Sequence, residues 1–199
     1  MTFVHRATGA AESVAVFAGA FNPPTAAHVA LAEAALDVVD EVLLVIPRAF
    51  PHKEYHGATL EQRLAMLQRI AASGRRLSAA VAEGGLFADI AREARSHYGK
   101  AQMQLLCGRD AAERILTWDY GDDQFVRRML EQFELLVAPR FGEYVPEARF
   151  AARVKTLCTA GNYDECSSTR LREALRQGGD WRSLVPESIA DMVEEIYRQ

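Results

Sequence analysis

The run Val42-Leu43-Leu44-Val45-Ile46 is apolar at every position. Successive strand residues point to opposite faces, so such a strand must be buried on both sides. Similar short runs recur along the chain, at Val14–Phe17, Leu77–Val81, Met103–Cys107, Phe133–Ala138 and Val154–Cys158. Between them lie segments of helical period. Ala26–Leu36, Thr59–Ala72 (with Leu60, Leu64, Leu67 and Ile70 on one stripe), Leu86–Tyr98, Phe125–Gln132, Thr169–Gln177 and Pro186–Tyr197 all read as helices. Alternating strands and helices with doubly apolar strands predict an α/β fold, a doubly wound parallel sheet with helices on both faces. A single domain over residues 13–199, ending in a small helical part, accounts for this pattern. Residues 1–12 read as a short N-terminal lead-in.

In such sheets ligands bind beyond the carboxyl ends of the strands. Attention therefore falls on Gly19, Pro47 and Gly108, which directly follow strands and should share one rim. The bulk properties narrow what binds there. The 199-residue chain has 23 Lys+Arg against 27 Asp+Glu, a net charge of −4. Nucleic-acid binders are usually basic, so no nucleic-acid partner is expected. Cys107, Cys158 and Cys166 are odd in number and scattered, which suits reduced thiols in the cytoplasm. No apolar run approaches the ~20 residues that span a bilayer, and Met1–Ser13 lacks a signal-peptide core. No membrane partner is expected. Oligomeric state stays open, a homo-oligomer included.

The segment Gly19-Ala20-Phe21-Asn22-Pro23-Pro24-Thr25-Ala26-Ala27-His28 is a strand end, a glycine turn and a helix start. Glycine lets backbone N–H groups approach an anion, and a helix N-terminus favours phosphate. Thr25 and His28, three apart, share a face of the first turn. A His there can donate to a phosphate oxygen and stabilise charge that grows in a transition state. The same pair also reads as a capping Thr with a His packed at the helix end.

Gly-x-Phe-Asn-Pro-Pro-Thr-x-x-His resembles the signature of the (His/Thr)-x-Gly-His nucleotidyltransferase superfamily, with the bacterial nicotinate-nucleotide adenylyltransferases as the nearest likeness. The resemblance implies a Rossmann-like fold and transfer of AMP from Mg-ATP to a phosphorylated acceptor with release of pyrophosphate. It implies catalytic roles for His28, Thr25 and Arg172, and nucleotide contacts from Gly19, Ala20 and Phe21. Ser167-Ser168-Thr169-Arg170-Leu171-Arg172 resembles the second phosphate motif of the family, with Cys166 where Ile is usual. Hydroxyls and N–H groups at a helix start, with an Arg fork one turn on, suit phosphate. Gly108-Arg109-Asp110 resembles the family's nucleoside turn, and Trp118 its downstream Trp. Pro51-His52-Lys53 resembles an acceptor-binding loop. Asn22, His52, Lys53 and Trp118 are thereby implied on the acceptor side, and Mg2+ as the cation of ATP. No protein metal ligands are implied.

The chain departs from the family in three places. Thr25 stands where the nicotinate enzymes have His, Ala27 replaces Gly, and Gly84-Gly85-Leu86-Phe87 lacks the threonines that face the pyridine ring. Nicotinate and nicotinamide mononucleotide therefore both stand as acceptors. A different acceptor or CTP as donor is the alternative, and a catalytically impaired nucleotide-binding module the more distant one.

Overall fold

The computed structural model describes residues 1–48, 57–74, 76–122, 124–139, 142, 144–158 and 163–198. Its strands are β1 (Thr2–His5), β2 (Ser13–Ala18), β3 (Glu41–Pro47), β4 (Leu77–Ala82), β5 (Gln102–Gly108), β6 (Glu134–Ala138) and β7 (Val154–Thr156). Its helices are α1 (Ala26–Ala35), α2 (Leu60–Ser73), α3 (Phe87–Tyr98), α4 (Arg109–Thr117), α5 (Phe125–Gln132), α6 (Ser168–Gln177) and α7 (Ala190–Tyr197). One sheet holds the strands in the order β1-β4-β3-β2-β5-β6-β7.

The strand order reverses direction between β2 and β5, which pair in parallel with Phe17 beside Leu106. From β2 the chain winds outward through β3 and β4, and from β5 outward through β6 and β7. A crevice opens where two such halves diverge. The period of two along β3 divides its side chains between two cores. Val42, Leu44 and Ile46 join the core beneath α1, α2, α6 and α7. Leu43 and Val45 join the core beneath α3, α4 and α5. The site's scaffold is thus a central strand clamped on both faces.

The structure revises three expectations. The sheet is parallel except at β1, which pairs antiparallel to β4 with Thr2 opposite Val81 and Phe3 opposite Ala80. Residues 1–12 are therefore not merely a lead-in, since they contribute an edge strand. Thr-Phe-Val-His is too short to carry a periodic signal; its strand character comes from a partner about 80 positions away. Arg109–Thr117 forms a helix where only a turn was expected, because Ala112, Ile115 and Leu116 bury one face against the second core. The last helical segment begins as a 3-10 turn at Glu187–Ile189 and becomes α-helical only at Ala190. Among the described residues no helix is long and apolar enough to cross a membrane.

Candidate active site

The turn from Gly19 to Pro24 lies at the end of β2, and side chains from three helices fasten it. The Gly19 N–H donates to the Val45 carbonyl at 3.0 Å, which keeps the turn in line with the sheet. Arg63 of α2, only 4 % exposed, donates from Nη1 to the Ala20 carbonyl at 3.0 Å. Tyr197 of α7 donates its hydroxyl to Asn22 Oδ1 at 2.5 Å. Burial pushes that phenol above the ordinary tyrosine range, so it remains a donor at neutral pH. From α6, Ser168 Oγ donates to the Pro23 carbonyl at 2.8 Å and Arg172 Nη1 donates to the Asn22 carbonyl.

Phe21 takes a φ of +46° within this turn, a left-handed conformation that a bulky residue adopts only when its surroundings over-determine it. Its buried ring meets Phe17 edge-on, 5.5 Å between centroids. A Cβ at position 19 would lie 3.2 Å from Phe21 Cε2 and 3.3 Å from Cζ, so the ring would have to give by a few tenths of an ångström to admit one. A Gly19→Ala chain is expected to lose about 1–3 kcal/mol of stability through overpacking, read as a lower midpoint of urea unfolding. An unchanged midpoint would show that the ring has room to shift.

Thr25 caps α1. Its side chain is fully buried, and it forms a capping box in which His28 replaces the customary Glu or Gln. The His28 N–H donates to Thr25 Oγ1 at 3.4 Å, and the Thr25 N–H donates to His28 Nδ1 at 3.0 Å. A backbone N–H only donates, so Nδ1 accepts. That assigns the ring proton to Nε2, the nitrogen suited to donate to a phosphate oxygen. Thr25 Oγ1 also lies 2.7 Å from Nδ1. The cap thus engages the imidazole through Nδ1 and holds its orientation.

Two cavities flank the end of β2. One, of about 380 Å³, is lined by Phe17, Ala27, His28, Gly108, Ala138, Ser167 and Ser168, among others. It takes in the ends of β2, β5 and β6 and the first turns of α1 and α6. The first N–H groups of a helix have no partners within it, and the helix dipole adds partial positive charge there. Ser167 caps α6 by accepting from the Arg170 N–H at 3.2 Å, and Thr169 Oγ1 accepts from Arg172 Nη2 at 3.4 Å. Two anion-favouring helix starts therefore share one cavity, tied together by the Ser168 and Arg172 bonds to the turn. The other cavity, about 450 Å³, lies on the α3/α4 side and is lined by Ala18, Gly19, Ala20, Leu86, Phe87, Arg114 and Trp118, among others. Phe17 and Ala18 are neighbours in a strand and face opposite ways, which is why the cavities lie on opposite sides of it.

The expected site residues are distributed between these spaces. His28, Gly108, Ser167 and Ser168 line the first cavity. Gly19, Ala20 and Trp118 line the second. Thr25, Phe21 and Asn22 are buried in the supporting turn. Asp110 is exposed in the first turn of α4 and does not line the first cavity. His52 and Lys53 lie outside the described residues. Arg63 and Tyr197 are the supports that sequence reasoning missed. Arg63 had a signal, a charged residue on the helix stripe that also carries Leu67 and Ile70. Tyr197 had none, because its partner is 175 positions away.

Comparison with known proteins gives one family. Residues 16–174 match the model of the cytidylyltransferase-like family. A probable nicotinate-nucleotide adenylyltransferase of Gloeobacter violaceus is 30 % identical over 199 residues, covering 92 % of this chain and 94 % of that protein. One from Gemmatimonas aurantiaca is 28 % identical over 198 residues, covering 92 % of each. Among solved structures, Plasmodium falciparum nicotinic acid mononucleotide adenylyltransferase complexed with NaAD superposes with a TM-score of 0.70 at 15 % identity, covering 92 % of this chain and 95 % of that one. At that identity the likeness concerns the fold.

Proposed function

Because this chain belongs to the cytidylyltransferase-like family, we propose that it is an adenylyltransferase of NAD biosynthesis, joining the AMP of ATP to a pyridine mononucleotide. The observation that carries this reading is the pair of helix starts, α1 and α6, joined through the Asn22–Pro23 turn beside His28. A triphosphate laid across both starts meets N–H groups, hydroxyls and the Arg172 guanidinium along its length. The second cavity takes the acceptor, whose ring lies near Trp118 and whose phosphate reaches the ridge at Gly19 and Ala20.

The reaction is an in-line displacement. An oxygen of the acceptor phosphate forms a bond to the α-phosphorus of ATP as the bond from that phosphorus to the bridging oxygen of the β-phosphate breaks. The electron pair leaves on pyrophosphate. Negative charge builds on the α-phosphate oxygens, where the Nε2 proton of His28 is placed to stabilise it. Arg172 holds the leaving group, and Arg63 and Tyr197 keep the turn from moving. No covalent bond to the chain is needed; positioning and electrostatics do the work.

Magnesium fits this arrangement as a partner of the nucleotide. Among the described residues no group of three or more His, Cys, Asp or Glu side chains could hold a metal ion. Phosphate oxygens and water are the usual ligands of magnesium in such sites. When bound to ATP the ion neutralises phosphate charge. Three free thiols, Cys107, Cys158 and Cys166, fit a cytoplasmic enzyme.

The direct test is pyrophosphate release. With ATP and nicotinate mononucleotide, release and the dinucleotide product are expected together, and CTP is expected to support less. Release that requires CTP, or that never occurs with a pyridine mononucleotide, would overturn the assignment.

A further inference from the structure

The loop from β4 into α3 contributes Gly85, Leu86 and Phe87 to the lining of the second cavity. A helix start is usually ordered by a Ser, Thr, Asp or Asn side chain at the N-cap. Here the N-cap is Leu86, which brings no side-chain hydrogen bond. Asp89, the acid of the first turn, is paired with Arg92 at 3.0 Å.

The loop is held instead by Glu93, in the second turn of α3. Its Oε1 accepts from the Gly84 N–H at 2.7 Å and its Oε2 from the Glu83 N–H at 3.1 Å. Hydrogen bonds to an ionised acceptor are the stronger kind, and one carboxylate that bridges two successive N–H groups fixes orientation as well as distance. Among the described residues no other side chain bonds to the backbone of residues 83–86. Gly84 makes the close approach possible, since a Cβ there would lie 2.5 Å from Asp89 Cβ and 3.2 Å from Glu93 Oε1. The hold extends to a second strand end. The Glu83 carboxylate accepts from Arg48 Nε at 3.0 Å, and the Arg48 N–H donates to the Ala82 carbonyl at 2.7 Å. Arg48 precedes the segment that carries His52 and Lys53.

Glu93 itself lines neither cavity. Its carboxylate has one other described partner, the Met1 ammonium, 2.9 Å from Oε2. We infer that Glu93 is a positioning residue for the acceptor. By holding Glu83 and Gly84 it sets the wall at Gly85–Phe87 and the strand end at Arg48, and it does not touch the nucleotide side. This rests on the adenylyltransferase reading above.

The experiment measures steady-state kinetics with ATP and nicotinate mononucleotide in the unsubstituted chain and in Glu93→Ala, Glu93→Gln and Gly84→Ala. Loss of two charge-assisted hydrogen bonds predicts that Glu93→Ala raises the KM for the mononucleotide about tenfold. The KM for ATP and kcat should each move less than about threefold, because neither depends on that wall. Glu93→Gln keeps one acceptor oxygen and should fall between. Gly84→Ala pushes the same loop off α3 and should also raise the KM for the mononucleotide. A merely structural role would not give this split: a smaller folded fraction lowers apparent kcat and leaves KM where it was. Phe3→Ala tests the route through the N-terminal strand. It strips the ring that packs edge-on against His97 and should lower the thermal midpoint with the KM for the mononucleotide unchanged.

Hydrogen exchange of the Glu83 and Gly84 amides, followed without substrate, should quicken in Glu93→Ala. Unchanged exchange, an unmoved KM for the mononucleotide, or an equal rise in both KM values would overturn the inference. So would a Phe3→Ala chain that reproduces the KM effect. If the unsubstituted chain releases no pyrophosphate with any pyridine mononucleotide, the adenylyltransferase reading falls first; normal release with an unmoved KM in Glu93→Ala removes this inference alone.

Discussion

Replacing His28 by Ala is expected to lower turnover by about two to three orders of magnitude, the usual loss when one pre-oriented donor to a transition-state oxyanion is removed. The ring proton lies on Nε2 because Nδ1 accepts the Thr25 N–H. Charge on the α-phosphate grows only as the new bond forms, so kcat should fall far more than the KM for ATP rises. His28→Ala also deletes half of the capping box at α1, which costs about 1 kcal/mol. A Thr25→Val chain separates the two effects. It removes the Thr25 hydroxyl's half of the cap but keeps the imidazole and the N–H that orients it, and so should lose stability with a smaller loss of turnover. Steady-state kinetics beside thermal unfolding decides the matter. A His28→Ala chain with near-normal kcat would remove His28 from the chemistry.

Arg172→Ala is the second large effect expected. Its guanidinium donates to the Asn22 carbonyl and to Thr169 Oγ1, and so links the start of α6 to the turn that carries His28. In the proposed reaction it is also the cation that meets the leaving pyrophosphate. Losing one charge-assisted hydrogen bond costs about 1.5–3 kcal/mol, so kcat/KM for ATP should drop roughly 10- to 150-fold from that contact alone. Loosening of the turn should add a fall in kcat. Lysine keeps the charge but cannot reach two acceptors with one rigid plane, so Arg172→Lys should recover only part of the loss. Titration of ATP binding by calorimetry, alongside turnover, distinguishes the roles. Unchanged affinity with reduced kcat would make Arg172 a support of the turn rather than a phosphate ligand.

Most of the sheet was legible in the sequence because its signals are local. Val42–Ile46 is apolar throughout, and the helix stripe of Leu60, Leu64, Leu67 and Ile70 repeats within one element. Thr59 caps that helix through a capping box with Gln62, three residues on. β1 escaped notice because four residues carry no period, and its strand identity comes from the open edge of β4. α4 was missed because Gly108-Arg109-Asp110 reads as a turn, and the helix that follows is held by burial of Ile115 and Leu116 rather than by a stop or start signal. At the site, the two phosphate segments were readable as motifs. How they meet was not. Ser168 and Pro23 are 145 positions apart, Arg172 and Asn22 150.

By itself the sequence determined the α/β alternation, the rim at Gly19 and Gly108, and the pairing of Thr25 with His28, because each is a matter of spacing within a few residues. Tertiary structure alone decided that the imidazole is held through Nδ1, that Arg63 and Tyr197 support the turn, and that two cavities lie on opposite sides of one strand end. These depend on which elements the sheet order brings together, and burial and hydrogen bonding between distant segments leave no periodic trace in the chain.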